Sequence, residues 1–435
     1  MKQFNKKIIT DLKYFLILLG GQSISQLGSS MTSFALMIWA YQNKGTVMSI
    51  SILGVCTYLP YILVSVFAGT LIDKWNKKAV MLISDSIAAI CTLCVLILYC
   101  LGILKVWNIY IINTLLGVMN AFQSPTSNVA VTLIVPKEHY NRISGLQSLC
   151  NSFITIFTPV FATAIISFSG IKAILIIDLI TFSSAFSSLL LFIKIPNNKE
   201  ENDRTKSYSF FYDFKKGFSY LLQEKGILYL IVFMSIINLL ASMAEGSVLP
   251  AMILSRTNNN RVLLGFVTSA IGLGGIVGGI IVTIIKPPKS KVKTIFNSCA
   301  LSFLLSDVLL GGSQNIYVWI LAAFAGNIPI PFLNGSEMSI LRTKIPVDIQ
   351  GRVFSIRSSV QFSTIPVGYL LGGILSDKVF EPLMLKSTLM QQTVGKIVGT
   401  GKGSGMAMIF LIVGIIGCLL SMIFKKSTKI KELDK

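Results

Sequence analysis

Charged residues are scarce in this chain of 435 residues, and acidic residues are the scarcest among them. Only 13% of the residues are charged, with 18 Asp and Glu against 38 Lys and Arg. A soluble globular domain carries about 25% charged residues. Hydrophobic residues make up 53% of the sequence, and the mean hydropathy is +0.73. This balance excludes a soluble globular protein and predicts that a membrane is the main solvent of the chain.

The histidine and the cysteines lack the arrangement of a metal centre. The single histidine, His139, lies in a polar stretch, and the seven cysteines lie in apolar runs. Cys91 and Cys94 have the C-x-x-C spacing, but no second pair and no nearby histidine completes a zinc site. The sequence therefore predicts no metal, no cofactor and no enzymatic activity, and a membrane enzyme is the least favoured class.

Long apolar runs are the main feature of the sequence. A membrane-spanning helix needs about 20 mostly apolar residues, and twelve such runs occur without the alternation of a β-barrel strand. They cover approximately residues 15–41, 47–71, 79–103, 107–133, 146–168, 171–194, 227–251, 262–285, 295–312, 316–341, 357–377 and 405–424. We therefore predict an all-α membrane protein with twelve transmembrane helices.

Lys and Arg are unevenly distributed between alternate loops. If both termini are cytoplasmic, most of the 38 Lys and Arg residues fall on the cytoplasmic side. Positive residues accumulate in cytoplasmic loops, so we predict a multi-pass protein of the cytoplasmic membrane with both termini inside. The net charge of +20 is then explained by topology and by attraction to anionic membrane lipid, rather than by nucleic-acid binding.

The longest polar interruption, Pro196–Gly226, separates the first six apolar runs from the last six. We predict an N-terminal six-helix bundle over residues 1–195, a cytoplasmic linker over 196–226 and a C-terminal six-helix bundle over 227–435. Within the linker, residues 210–222 mix aromatic and aliphatic side chains with charges, which is typical of a helix lying on the inner leaflet. A disordered tether is the alternative.

A weak repeat relates the two halves. Matching residues recur at one constant spacing: Pro136 with Pro346, Arg142 with Arg352, and Gly69 with Gly279; Gly351 precedes Arg352 in the second copy. Two related six-helix halves are the architecture of secondary transporters that rock around a central binding site.

The clearest motif lies between the second and third apolar runs, where residues 69–78 read Gly-Thr-Leu-Ile-Asp-Lys-Trp-Asn-Lys-Lys. Glycine permits close helix contact, and the carboxylate can pair with cations. The residues predicted to form a conformational latch are Gly69, Asp73, Lys74, Lys77 and Lys78, together with Asp85 at the start of the next run. A plain positive turn is the alternative. In the second half the position matching Asp73 is Thr283, so that half lacks the acid.

On these residues the chain resembles the major facilitator superfamily, because the 69–78 motif is similar to the signature loop of that superfamily. Other stretches resemble its bacterial macrolide-efflux-like branch, namely 21–22, 59–60, 121–125, 135–138, 177–178, 345–346 and 351–355. The resemblance extends from about residue 15 to 424 and implies proton-driven export of a small amphipathic compound by alternating access. An arginine that many drug–proton antiporters carry in the fourth helix is missing, since the matching positions here are Leu116 and Asn120.

Carboxyl groups inside apolar runs are the candidate proton sites, because ionisable groups are costly within a membrane. The candidates are Glu337, Glu245 and Asp307, followed by Asp178. The sequence places no Lys or Arg deep in a span, and a buried carboxyl without a cation tends to hold a proton. The alternative for each is a carboxyl that bonds to neighbouring hydroxyl groups or faces water. Asp377 is expected to face solvent at the outer end of its run.

The resemblance also implies that the first, fourth, seventh and tenth helices line the substrate cavity. A site for amphipathic cargo should combine aromatic, methionine and neutral polar side chains. The candidates are Gln22, Gln26, Phe34, Asn120, Phe122, Gln123, Asn238, Met243, Asn327, Phe332 and Asn334. Each could equally be a packing residue.

Together these features favour a secondary active exporter that works as a monomer with a small-molecule substrate and protons. A glycine-rich stretch at 399–404 does not match a phosphate loop, so the expected energy source is an ion gradient or the gradient of the cargo itself. Two alternatives stay open. One is a proton-coupled importer or facilitator of a metabolite, and the other is a non-transporting receptor on the same fold.

Overall fold

Helices account for almost all of the structure, a computed structural model that describes residues 2–135, 140–193, 195, 218–286 and 288–434. Side chains are described for these residues except 2–12, 66, 69–70, 73–74, 140–142, 144–145, 347–348, 351–352 and 355. Within these ranges no β-strand occurs, so the predicted all-α class is confirmed. Of the predicted linker helix over 210–222, residues 210–217 lie outside the described residues, and residues 218–223 are helical.

Five long helices precede the linker. They are α1 (Lys2–Lys44), α2 (Val47–Lys74), α3 (Lys77–Cys100), α4 (Val106–Ile134) and α5 (Tyr140–Phe192). α5 holds two of the predicted runs. Gly170, with φ of 74°, divides them, because glycine adopts this left-handed conformation without steric cost.

Six long helices follow the linker. They are α6 (Lys225–Arg256), α7 (Arg261–Ile284), α8 (Lys291–Gly312), α9 (Ile316–Lys344), α10 (Val347–Ile374) and α11 (Ser404–Lys426). Two of them contain a π-helical turn, over Ser242–Val248 in α6 and Leu304–Val308 in α8. A third π-helical turn, Leu375–Phe380, directly follows α10 and leads into short helices before α11.

Each predicted apolar run coincides with helical structure. By length and composition, eight helices of the described chain could cross a membrane. α5 counts once among the eight although it holds two runs, and α1, α4 and α10 are not among them. Polar side chains lie within each of these three helices, for example Gln22 in α1, Gln123 in α4 and Arg357 in α10. The count of twelve crossings stays a prediction.

The chain divides into two compact units. The first comprises Met1–Asn43 and Cys56–Thr205, and the second comprises Lys44–Val55 and Lys206–Lys435. Residues 44–55 were predicted to lie in the N-terminal bundle, but they belong to the second unit. α2 therefore begins in the second unit and ends in the first.

The core of the first unit joins four helices. Phe15 and Leu18 of α1 pack with Met81 of α3, Val131 of α4 and Leu189 of α5, and all five side chains are buried. Burial of large aliphatic and aromatic side chains at one point fixes the relative positions of these helices.

In the second unit, glycines allow α7 to approach α9 closely. A Cβ atom on Gly274 would lie 2.2 Å from the carbonyl oxygen of Phe324, and one on Gly278 would lie 2.1 Å from that of Ile328. Small residues spaced four apart are the common device for close helix packing in membranes.

We therefore expect Gly278→Ala to destabilise the protein by about 1–3 kcal/mol, because α7 and α9 must move apart to admit the methyl group. Gly275→Ala is the matched control, since a Cβ atom there would meet no atom within 4 Å. The measurement is the apparent melting temperature in detergent. Equal melting temperatures for the two variants would contradict the close packing described above.

Three carboxylates bind the first turns of helices to which they do not themselves belong. Asp377 accepts hydrogen bonds from the backbone N–H groups of Val47 and Met48 at the start of α2, at 3.0 and 2.8 Å. Glu381 accepts from the N–H groups of Gly403 and Gly405 at the start of α11, at 2.6 and 3.0 Å.

The third of these carboxylates is Asp434, which accepts from the Val292 N–H group at 3.0 Å and from the Ser290 hydroxyl at 2.5 Å, at the start of α8. A carboxylate at a helix N-terminus binds unpaired N–H groups and complements the helix dipole. The expectation that Asp377 faces solvent was therefore wrong.

Candidate functional site

In the first unit, Asp85 is held by two glutamine side chains. Gln22 donates from Nε2 to Asp85 Oδ2 at 3.0 Å, and Gln123 donates from Nε2 to Asp85 Oδ1. Gln123 also donates to Oε1 of Gln22 at 3.4 Å. The cluster joins α1, α3 and α4, and the Asp85 carboxyl is buried. The sequence identified all three residues but assigned Asp85 to the latch and the glutamines to the cavity.

Asp178 of α5 lies in a second polar cluster of the first unit. Its Oδ1 accepts a hydrogen bond from the Ser29 hydroxyl of α1, and its Oδ2 accepts one from the Thr92 hydroxyl of α3, both at 2.9 Å. Asp178 is buried, and its backbone lies against Gly28. This arrangement matches the alternative considered for the candidate proton sites, namely a carboxyl bonded by hydroxyl groups.

The predicted latch is described only in part. The side chains of Gly69, Asp73 and Lys74 lie outside the described residues, so their contacts stay a prediction. Lys78 donates from Nζ to the carbonyl oxygens of Leu190 and Ile193, both at 2.8 Å. A cation at the C-terminal end of a helix is favourable, and Lys78 thus binds the end of α5 within the first unit.

The repeat-related residues are also described only in part. Pro136 lies outside the described residues, and so do the side chains of Arg142, Gly351 and Arg352. Pro346 directly precedes α10 and is exposed. Its position agrees with the preference of helices to begin after a proline-containing turn.

In the second unit, Glu337 of α9 forms a bidentate ion pair with Arg357 of α10. Arg357 donates from Nε to Oε1 at 2.9 Å and from Nη2 to Oε2 at 2.7 Å. Gln361 adds a third bond, from Nε2 to Oε1 at 3.1 Å. Glu337 is fully buried, with 0% of its surface exposed.

The expectation that no Lys or Arg neutralises the Glu337 carboxyl was therefore wrong. Helix α10 begins at Val347, well before the predicted apolar run. At a rise of about 1.5 Å per residue, Arg357 lies about 15 Å along the helix. The predicted apolar run begins only at Arg357, because the polar residues before it interrupt the run.

Glu245 and Asp307 form a second acidic site in this unit. Each lies in a π-helical turn, Glu245 in α6 and Asp307 in α8. The two carboxyl groups interact electrostatically, and the side chain of Ser306 lies beside Glu245. Neither carboxyl forms an ion pair with a cation within the described part of the chain.

The surroundings of this pair are closely packed. Asp307 is 3% exposed, and neither its Oδ1 atom nor the Ser306 hydroxyl has a hydrogen-bond partner among the described residues. A Cβ atom on Gly326 would lie 2.4 Å from the Ser306 Cβ atom, and one on Gly414 would lie 3.0 Å from the Asp307 Cβ atom. π-helical turns often mark functional sites. The sequence identified both acids but not that their carboxyl groups interact.

The candidate cavity residues have different environments. Gln26, Asn120 and Asn334 are exposed. Asn327 donates from Nδ2 to the Ala323 carbonyl oxygen of its own helix at 2.9 Å. The remaining candidates are buried or partly buried, and they are Gln22, Phe34, Phe122, Gln123, Asn238, Met243 and Phe332. The Phe122 ring lies 5.9 Å from that of Trp75 in the first unit.

Met243 is the most buried of these candidates. It is 7% exposed, and its backbone lies against Gly368 and Gly372 of α10. This favours the packing alternative for Met243.

Comparison with known protein families decides the class of the chain. The model of the family described as Major Facilitator Superfamily matches residues 18–291, which is more than half of the sequence. The chain belongs to the Major Facilitator Superfamily. It is therefore a multi-pass bacterial membrane transporter and not an enzyme, as the sequence predicts.

Relatives and solved structures agree with this assignment. The Major Facilitator chain is 23% identical over 373 residues to Macrolide efflux protein A of Streptococcus pyogenes, covering 85% of this chain and 90% of that protein. It is 22% identical over 362 residues to the Multidrug efflux pump Tap of Mycolicibacterium fortuitum, covering 80% and 86%. The crystal structure of the nucleoside transporter NupG (D323A mutant) superposes with a TM-score of 0.68 at 14% identity, covering 95% of this chain and 99% of that one. The predicted fold and the resemblance to the macrolide-efflux branch are confirmed.

Proposed function

We propose that the protein exports a small amphipathic compound, such as a macrolide-like drug, across the bacterial cytoplasmic membrane in exchange for protons. The names of the efflux relatives support the direction and the substrate class. The observation that carries the proton coupling is the Glu245–Asp307 pair. The two carboxyl groups interact electrostatically, Asp307 is buried, and neither forms an ion pair with a described cation.

A proton is the simplest neutralising partner for this pair. Two negative charges that face each other in an apolar interior repel strongly and lose the hydration that would stabilise them. One proton bound between the carboxyls removes this repulsion and can supply a hydrogen bond. The unpartnered Asp307 Oδ1 atom and the Ser306 hydroxyl offer further hydrogen-bonding groups to a protonated state.

Glu337 is less suited to proton exchange than the sequence suggests. Its charge is balanced by Arg357, and binding a proton would disrupt a bidentate, charge-assisted pair. Separating a buried carboxylate from its cation is costly. We therefore place the proton at Glu245 and Asp307, with Glu337 and Asp178 as positioning groups.

We also propose that the protein follows the transport cycle that its fold family implies. A single chain, with both termini cytoplasmic, alternates access to the substrate cavity by movement of its two halves. The Asp73 loop forms the latch between conformations. Anionic membrane lipids attract the basic cytoplasmic loops.

Inside-out membrane vesicles test this function. An imposed proton gradient, acidic inside, is expected to drive accumulation of fluorescent dyes and macrolide-like compounds in vesicles that contain the protein. An uncoupler and the latch variant Asp73→Asn should each reduce accumulation to the level of vesicles without the protein. Accumulation that is insensitive to the uncoupler would contradict proton coupling. A panel of drugs with no transported member would favour the importer or the receptor instead.

A further inference from the structure

The first turn of α2 is bound by a residue that follows it by 330 positions. The backbone N–H groups of Val47 and Met48 donate to Oδ1 and Oδ2 of Asp377, at 3.0 and 2.8 Å. Asp377 lies in the π-helical turn Leu375–Phe380, and this turn and residues 44–55 belong to the same compact unit. Two charge-assisted bonds and the helix dipole all favour this contact.

Glycines allow α2 and α10 to approach closely beside this contact. A Cβ atom on Gly373 of α10 would lie 2.5 Å from the Ser51 hydroxyl oxygen, and one on Gly54 of α2 would lie 2.3 Å from the Tyr369 ring. Small residues at such positions permit close helix packing, and the Asp377 bonds add a specific polar attachment at this end.

α2 is shared between the two compact units. Residues 47–55 lie with the second unit, and residues from Cys56 onward lie with the first. Within the first unit, the carbonyl oxygen of Thr57 would lie only 2.4 Å from a Cβ atom on Gly117 of α4. A rocking motion that carries α2 with the first unit must release its first turn from the second.

We propose that Asp377 is a releasable clasp that holds the start of α2 against the end of α10 in one conformation of the transport cycle. Release is inexpensive because water can hydrate both a carboxylate and the free N–H groups of a helix end. The proposal rests on the alternating-access part of the proposed function. On the predicted orientation, the clasp lies toward the outer side of the membrane.

The test measures the accessibility of a cysteine placed at the clasp. The seven native cysteines are replaced, and Ser376→Cys is introduced next to Asp377, because Ser376 is 0% exposed. The protein is reconstituted in nanodiscs, where both faces are open, and labelled with a membrane-impermeant thiol reagent. We expect Asp377→Asn to raise the labelling rate about tenfold, since it removes the charge from both hydrogen bonds.

Two controls separate the clasp from general loosening. Lys378→Gln changes the neighbouring charge on an exposed side chain and should leave the labelling rate unchanged. A second reporter, Ser421→Cys, is buried in α11 and should label equally slowly with and without Asp377→Asn. Unchanged labelling at position 376, or an equal increase at both reporters, would overturn the clasp. The assay needs no substrate, so its failure is distinct from failure to transport the compounds tested in vesicles.

Discussion

Replacing Glu245 by Gln or Asp307 by Asn is expected to abolish transport that is driven by a proton gradient. Each substitution removes one of two carboxyl groups that interact electrostatically, in a site where Asp307 is buried and no described cation forms an ion pair. An amide keeps the size of the side chain but cannot exchange a proton, so the remaining carboxyl loses the partner with which it shares one. Because the two groups form one site, the double variant should be no worse than either single variant.

The measurement is dye or drug accumulation in inside-out vesicles under an imposed gradient, compared with substrate exchange without a gradient. Exchange should persist in both variants, since it requires substrate movement but no proton. Glu224→Gln is the matched control, because Glu224 is an exposed acid at the start of the same helix, α6. Full gradient-driven accumulation in either variant, or losses that add in the double variant, would rule out a shared proton site.

Removal of the Arg357 cation is expected to have the second largest effect, on stability. Arg357→Met leaves the Glu337 carboxylate buried with only the Gln361 amide as a described partner, and breaking a buried ion pair in this way costs about 3–5 kcal/mol. Adding Glu337→Gln removes the uncompensated charge, so the double variant should regain most of the lost stability.

The melting temperature in detergent tests this prediction. The single variant should melt well below the parent protein, and the double variant should melt close to it. A double variant as unstable as Arg357→Met would show that packing of the guanidinium, not charge compensation, stabilises this site. Transport by the double variant distinguishes the roles of the two acidic sites, since coupling is expected to survive the loss of Glu337 and not the loss of Glu245.

The sequence predicts the architecture well because apolar runs of membrane-spanning length have few alternative structures. The helices coincide with the predicted runs, and the motif at residues 69–78 is sufficient to indicate the superfamily. Helix ends are harder to predict. α10 starts at Val347 in a polar stretch, and the Glu337–Arg357 pair was missed for this reason.

Contacts between distant residues were not predictable from one sequence. Gln22, Asp85 and Gln123 were all selected, yet nothing in the sequence shows that their side chains converge. The interaction of Glu245 with Asp307 was not predictable either, because each acid lies in a π-helical turn that has no clear sequence signal.

The distant carboxylate caps have a consequence for the order in which the protein is completed during synthesis. Ribosomes add about 5–20 residues per second, so Asp377 follows the first turn of α2 by roughly tens of seconds. During that interval the N–H groups of Val47 and Met48 can be satisfied only by water or by transient partners. A shorter delay applies to α8, whose first turn is bound by Asp434, 142 residues after Val292. The early helices are therefore inserted before their final partners exist, and the last part of the nascent chain completes helices that were made first.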